Sequence, residues 1–433
     1  MQSSTPQDHG SLAADGAANA HDPYAALRFR EFRYLIGASF LLNAALSIQQ
    51  VAVGYALYRT TGDPLSLGLI GLAEAIPFIA LALFGGHLAD RRDKRALVRA
   101  SLCVVFLATS LLALISRPEI RAALSQTAWL WAVYLSIGVL GLARGVLSPA
   151  AAALRAFLVP RTAYPSAATW SSTLFQAASI LGPVAGGLAY AGLGLTGALL
   201  LTLALTVFAE RLVARIAPRP APADPQMRAP IWQSLREGLA YVRRTKIIFY
   251  AITLDMFSVL FGGVVAILPV FAEDILRIGP EGLGVLRSAP ALGAMLTVLA
   301  CTWLSPIRHA WRNLLLAVAG FGMATLVFAV SERLWLSAAA LFLTGVFDSI
   351  SVVIRQTILQ MIPPDHLRGR VQAVNSIFIS SSNELGAFES GLAARLMGAV
   401  PSVLFGGAMT LAVVAVVWQR SRALLAVRLA PRS

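Results

Sequence analysis

The sequence predicts an all-α integral membrane protein, with twelve transmembrane helices in two pseudo-symmetric six-helix bundles. Three observations carry this reading. The 433 residues are 57% hydrophobic and only 13% charged, whereas soluble globular chains run at about 45–50% apolar and about 25% charged. The apolar residues are spread over the chain in twelve runs, most of them long enough to cross a hydrocarbon layer that takes about 20 helical residues. Lysines and arginines gather in alternate loops between those runs, as they do where loops alternate across a bilayer.

Taken in order, residues 1–23 are rich in Ala, Ser, Gly and Asp and contain no apolar stretch of signal-peptide length, so they read as a disordered cytoplasmic tail. The first half, 24–215, holds spans at 34–58, 66–89, 97–116, 128–153, 168–191 and 194–215. Residues 216–246 form a cytoplasmic linker. It opens on the stiff segment Ala217-Pro218-Arg219-Pro220-Ala221-Pro222. It continues with Trp232, Leu235, Leu239 and Val242 at helical spacing opposite arginines, which predicts an interfacial amphipathic helix. The second half, 247–419, holds spans at 247–271, 283–304, 313–330, 334–361, 371–394 and 399–419, and 420–433 is a second cytoplasmic tail.

An even number of spans puts both termini on one side. With the termini inside, 26 of the 35 Lys and Arg fall in inner segments. Seven fall outside (Arg59, Arg117, Arg121, Arg277, Arg287, Arg333, Arg395), and Arg144 and Arg355 lie within spans. Both termini are therefore predicted to be cytoplasmic, with the chain multi-pass in a bacterial inner membrane. The net charge of +14 is then a topology signal and not a nucleic-acid footprint. Cys103 and Cys301 sit in apolar runs and the histidines lie near loops or in the tail, which predicts no metal site and no cofactor.

The halves resemble each other. Leu158-Val159-Pro160 before span 5 matches Met361-Ile362-Pro363 before span 11, and Leu67-Gly68 opening span 2 matches Leu283-Gly284 opening span 8. Repeated halves of this size are a property of secondary transporters that rock about a central site.

Two motifs name a family. The loop after span 2 reads Gly85-Gly86-His87-Leu88-Ala89-Asp90-Arg91-Arg92-Asp93-Lys94-Arg95. It resembles the G-x-L-A-D-R-x-G-R-K signature of the major facilitator superfamily, with Asp93 where the second glycine stands. Span 5 carries Ala178-Ser179-Ile180-Leu181-Gly182-Pro183-Val184-Ala185-Gly186-Gly187, which is similar to the G-x-x-x-G-P-x-x-G-G motif of the antiporter branch. Stretches 58–63 and 382–391 resemble the branch of enterobactin exporters and drug-efflux carriers. The resemblance implies a cytoplasmic gate at Gly86, Asp90, Arg91, Lys94 and Arg95, and an antiporter-like helix contact at Gly182, Pro183, Gly186 and Gly187. It also implies a central cavity lined by spans 1, 4, 7 and 10.

Those spans carry Asn43 and Gln50, Arg144, Asp255, and Asp348 with Arg355. Span 2 adds Glu74, and span 11 adds Glu384 and Glu389, which lie five apart and so point about 140° apart. An ionisable group facing lipid costs about 2.5–3.5 kcal/mol on insertion scales, so these side chains point inward. Asp255, Asp348 and Glu74 are candidate proton-coupling acids, with Arg144 and Arg355 as the charges that tune them. Asn43 and Gln50 are cavity-lining polar groups. Neither a nucleophile–base set nor a phosphate loop is present, so no enzyme is predicted. The expected function is secondary active transport of a small organic molecule, with proton-coupled efflux by a monomer as the leading reading; import, uniport and a non-transporting sensor or assembly factor are the alternatives.

Overall fold

A computed structural model describes residues 22–218, 231–301, 303 and 306–426, without the side chains of 82–91, 231–234, 306, 308 and 426. The tail 1–21, most of the linker's Pro-rich segment and the last residues therefore lie outside the described residues. Among those described, helices dominate and no strand is present.

The first half contains α1 (Arg30–Thr61), α2 (Pro64–Arg91), α3 (Lys94–Ile115) and α4 (Gln126–Leu158). The continuous element Tyr164–Ala214 follows. Gly194 breaks it with φ 68° and ψ −175°, a conformation close to glycine-only, giving α5 (164–193) and α6 (195–214). The second half contains α7 (Lys246–Phe261), α8 (Gly279–Cys301), α9 (Ala310–Ala329), α10 (Leu334–Met361), α11 (Asp365–Met397) and α12 (Ala399–Arg420). Among the described residues, ten helices are long and apolar enough to cross a membrane, with Tyr164–Ala214 inside a single one of them. Splitting that element at Gly194 gives eleven. The twelfth is α11, too polar to qualify on composition, but 33 residues long and packed between α2 and α7.

Turn chemistry sets the boundaries. Gly62, at φ 62°, ends α1 with its N–H on the Tyr58 carbonyl, a left-handed cap. Asp63 Oδ1 then accepts from Leu65 N at 3.0 Å, with Pro64 at the first position of α2. Asp93, where the signature has glycine, caps α3 by accepting from Arg95 N at 2.9 Å. Several helices run past the predicted spans; α1 covers 32 residues, about 48 Å, because polar ends extend the helix beyond the apolar run. Two features were not predicted. A short helix, Pro118–Ala123, lies between α3 and α4. The seventh span is also not continuous: α7 stops at Gly262, and a 3₁₀ turn (Val264–Ile267), a single turn (Leu268–Val270) and a π turn (Phe271–Ile275) complete it.

The two halves repeat one neighbour map. α2 packs on α4 as α8 packs on α10, α3 on α4 as α9 on α10, and α1 on α5 as α7 on α11. Between halves, α2 meets α11 and α5 meets α8, the exchange a two-fold pseudo-symmetry requires. The linker helix Ile231–Arg244 lies under α11. Val242 is buried in the second half's core, with Leu235 and Leu239 packed against it, and Arg370 pairs with Glu237.

The buried apolar residues divide unevenly. One core belongs to the first half alone and contains Phe32, Leu102, Trp129 and Leu154. Another belongs to the second half alone and contains Ile248, Trp311, Ile354 and Val371. A third is shared: Val51, Tyr55, Tyr58 and Leu67 of the first half pack with Leu268, Phe271, Leu283 and Phe328 of the second. The shared core lies at the Gly62 end of the molecule. At the opposite end, where α3 and α7 begin, the cores are separate among the described residues.

Candidate functional site

A central cavity of about 410 Å³ lies between the halves. Its walls follow helical periodicity. Leu67, Ile70, Gly71 and Glu74 form one face of α2, and Leu341, Thr344, Gly345 and Asp348 one face of α10. Gln49 and Gln50 of α1, Arg144 of α4, Arg287 of α8, Thr325 of α9, and Asn383 and Glu384 of α11 add polar lining. The break in span 7 also opens here, where Gly262, Gly263, Val264 and Pro269 contribute wall. A Cβ at Gly263 would stand 2.5 Å from the carbonyl oxygen of Gly386, so glycine lets the broken strand of backbone touch α11. Irregular backbone at membrane depth is found where it lines a cavity.

The charges are arranged in distinct ways. Arg144 forms an ion pair with Glu74 across α4 and α2. Arg287 donates to the side-chain oxygen of Gln50 at 3.1 Å, joining the halves. Asp348 and Glu384 lie on the wall outside both pairs. Asp255 and Arg355 form an ion pair with each other, buried behind the wall at 5% and 2% exposure. The seven-residue step from Asp348 to Arg355 thus runs along one face of α10 from the cavity to this buried pair. Glu389 is not in the cavity wall and lies beside Ser390, consistent with its angular offset from Glu384.

Asn43 and Gln50 separate. Gln50 lines the central cavity, while Asn43 donates to the Ser39 carbonyl at 2.7 Å and lines a second cavity of about 310 Å³ within the first half. Arg144 reaches both cavities. Arg287, counted with the outer loop charges, instead lies in α8 on the cavity wall. Its position four residues past Leu283, the first residue of the predicted span 8, was the available signal.

At the expected gate motif, the side chains of Gly86, Asp90 and Arg91 lie outside the described residues. Lys94 is buried, with Nζ 4.7 Å from the Phe157 ring centroid. Arg95 donates to the carbonyl of Ala214 at 2.7 Å, closing the last turn of α6. In the span 5 motif, Gly182 and Gly186 face Ser47 and Ile48 of α1. Gly187 faces Pro280, and the carbonyl of Pro183 faces Gly284 of α8. The motif therefore serves one contact within its half and one between halves.

Sequence reasoning missed the polar closure at the Gly62 end. Tyr55 Oη donates to Glu273, and Tyr58 Oη to Asp274, so one face of α1 is tied to the π turn after α7. Arg395 of α11 lies 3.3 Å from Asp63. All three contacts cross between the halves.

Comparison with known proteins agrees with this architecture. A family model described as Major Facilitator Superfamily matches residues 35–387. An enterobactin exporter of Shigella boydii is 24% identical over 380 residues, covering 87% of this chain and 88% of its own, and enterobactin exporters of several Escherichia coli strains match to the same extent. Among solved structures, the nucleoside transporter NupG aligns with a TM-score of 0.70 at 14% identity, covering 92% of this chain and all of its own. A bacterial homologue of the iron transporter ferroportin, in an inward-facing state, aligns at 0.69 and 15% identity, covering 92% and 99%. At these identities the solved structures speak for the fold.

Proposed function

The chain belongs to the Major Facilitator Superfamily, and from that premise we propose that it exports a small organic molecule, siderophore- or drug-like, by alternating access coupled to protons. One observation carries the reading. Among the described residues the halves share a core and three polar ties at the Gly62 end and none of these at the other, with an acid-lined cavity between them. Rocking the halves about the cavity would exchange which end is closed. The Lys/Arg distribution assigns the open end to the cytoplasm, in an inner membrane with both termini inside, so the cavity loads from within. The two halves of one chain enclose the cavity, so a monomer suffices. The similarity to enterobactin exporters supports the outward direction.

Coupling needs an acid whose protonation depends on conformation. Asp348 is on the wall and, among the described residues, outside any ion pair, so it is the leading candidate. Glu74 is held by Arg144, and a proton on Glu74 would release that arginine to the substrate. Asp255 and Arg355 lie one layer behind and would position α7 against α10 beneath Asp348.

The test is flux in proteoliposomes under an imposed pH gradient, with the purified chain and a panel of fluorescent organic substrates. Uphill movement of a substrate against the proton flow supports antiport. Flux that ignores the gradient would reduce the chain to a uniporter.

A further inference from the structure

We propose that the second cavity, inside the first half, is a capture site for an organic anion, a carboxylate on an apolar body, that precedes the central cavity. The proposal rests on the transport reading and names the charge of the substrate. Among the described residues the ionisable groups lining this cavity are both arginines, Arg144 and Arg155, and no acid lines it. The central cavity, by contrast, carries Glu74, Asp348 and Glu384. Arg144 and Arg155 are eleven residues apart on α4, three helical turns and about 16 Å along one face. Ser39 and Asn43 add polar groups, while Phe78 and Phe175 supply apolar wall.

Arg155 is the decisive residue. An arginine present only to mark the inner membrane face would extend its guanidinium into water. Arg155 Nε is instead buried and has no hydrogen-bond partner among the described residues. A buried, unsatisfied donor on a cation is costly, and a carboxylate in the cavity would satisfy it. The site lies at the end where the cores are separate, so a ligand reaches Arg155 first. Arg144, which lines both cavities, is the next cation along the same helix face. An anion arriving there competes with Glu74 for the guanidinium, and so links capture to the central cavity.

The experiment measures binding without transport. The full chain is placed in nanodiscs of phosphatidylcholine, and equilibrium dialysis compares 2-naphthoate with its uncharged amide. The parent should favour the carboxylate by about tenfold, the worth of one charge-assisted hydrogen bond. Arg155→Gln should remove the preference and Arg155→Lys should retain part of it, with thermal unfolding as the check on folding. Ser171→Asp, which puts an acid on the same wall, should also abolish the preference and serves if Arg155→Gln does not fold. Equal binding of the two probes by the parent, or a preference that survives both Arg155→Gln and Ser171→Asp, overturns the proposal. So does displacement of naphthoate by an equal concentration of inorganic phosphate, or its loss when phosphatidylglycerol is added, because the site would then hold a bare anion or a lipid headgroup. Counterflow of naphthoate in proteoliposomes separates the two readings. Binding without flux removes the carrier function and leaves the site, whereas flux without charge preference removes the site and leaves the carrier.

Discussion

At the scale of single residues, the acids of this protein occupy two environments with opposite consequences. Asp255 is buried against Arg355, and removing one partner of such a pair leaves a charge stranded away from water, at a cost of about 3–5 kcal/mol. Asp255→Ala should therefore lower the thermal midpoint of the purified protein by several degrees, and a midpoint unchanged from the parent would show that the pair contributes nothing. Asp348 lines the cavity outside the ion pairs, so Asp348→Asn should leave the midpoint in place. It should abolish uphill transport driven by a pH gradient while substrate binding persists. Substrate pumping by Asp348→Asn at the parent rate would move the coupling acid elsewhere, with Glu74 next in line.

At the scale of elements, two breaks shape the fold, and glycine makes both. Gly194 turns α5 into α6 in a conformation that costs other residues about 1–3 kcal/mol. Gly194→Ala should accordingly lower the thermal midpoint, and a midpoint at or above the parent's would show that the turn tolerates a side chain. The twelve spans and their repeated order were legible in the sequence, because apolar length and alternating basic loops are local properties. Gly194 falls at the first residue of the predicted sixth span, so even this turn was placed. The break in span 7 was not, since Gly262-Gly263 inside an apolar run reads as uninterrupted helix until Gly386 of α11 is seen to need the space. The candidate site was legible as a list of inward-facing charges but not as a set of partners. Asp255 and Arg355 are 100 positions apart, and only the packing of α7 on α10 joins them. Arg287 went unrecognised because a charge eight residues from the start of α8 looks like a loop residue when helix ends are uncertain.

At the scale of the whole molecule, the described residues divide the core unevenly between the two ends, as the proposed rocking of the halves requires. The Gly62 end is held by the shared apolar core and by Tyr55–Glu273, Tyr58–Asp274 and Asp63–Arg395, while among the described residues the halves keep separate cores at the other end. A phenol donating to a carboxylate is a charge-assisted bond. Spin labels at positions 123 and 332, on opposite halves at the Gly62 end, and at 161 and 366, on opposite halves at the other end, report the two gates once Cys103 and Cys301 are replaced by serine. Tyr55→Phe combined with Tyr58→Phe should lengthen the 123–332 distance and shorten the 161–366 distance, the reciprocal change that rigid halves require. Glu273→Gln combined with Asp274→Asn should shift both distances in the same sense, because an amide oxygen is a weaker acceptor than a carboxylate. Distances that ignore both the phenylalanine pair and the amide pair would mean that these tyrosines pack the shared core without governing it, and that the apolar contacts alone decide which end is closed.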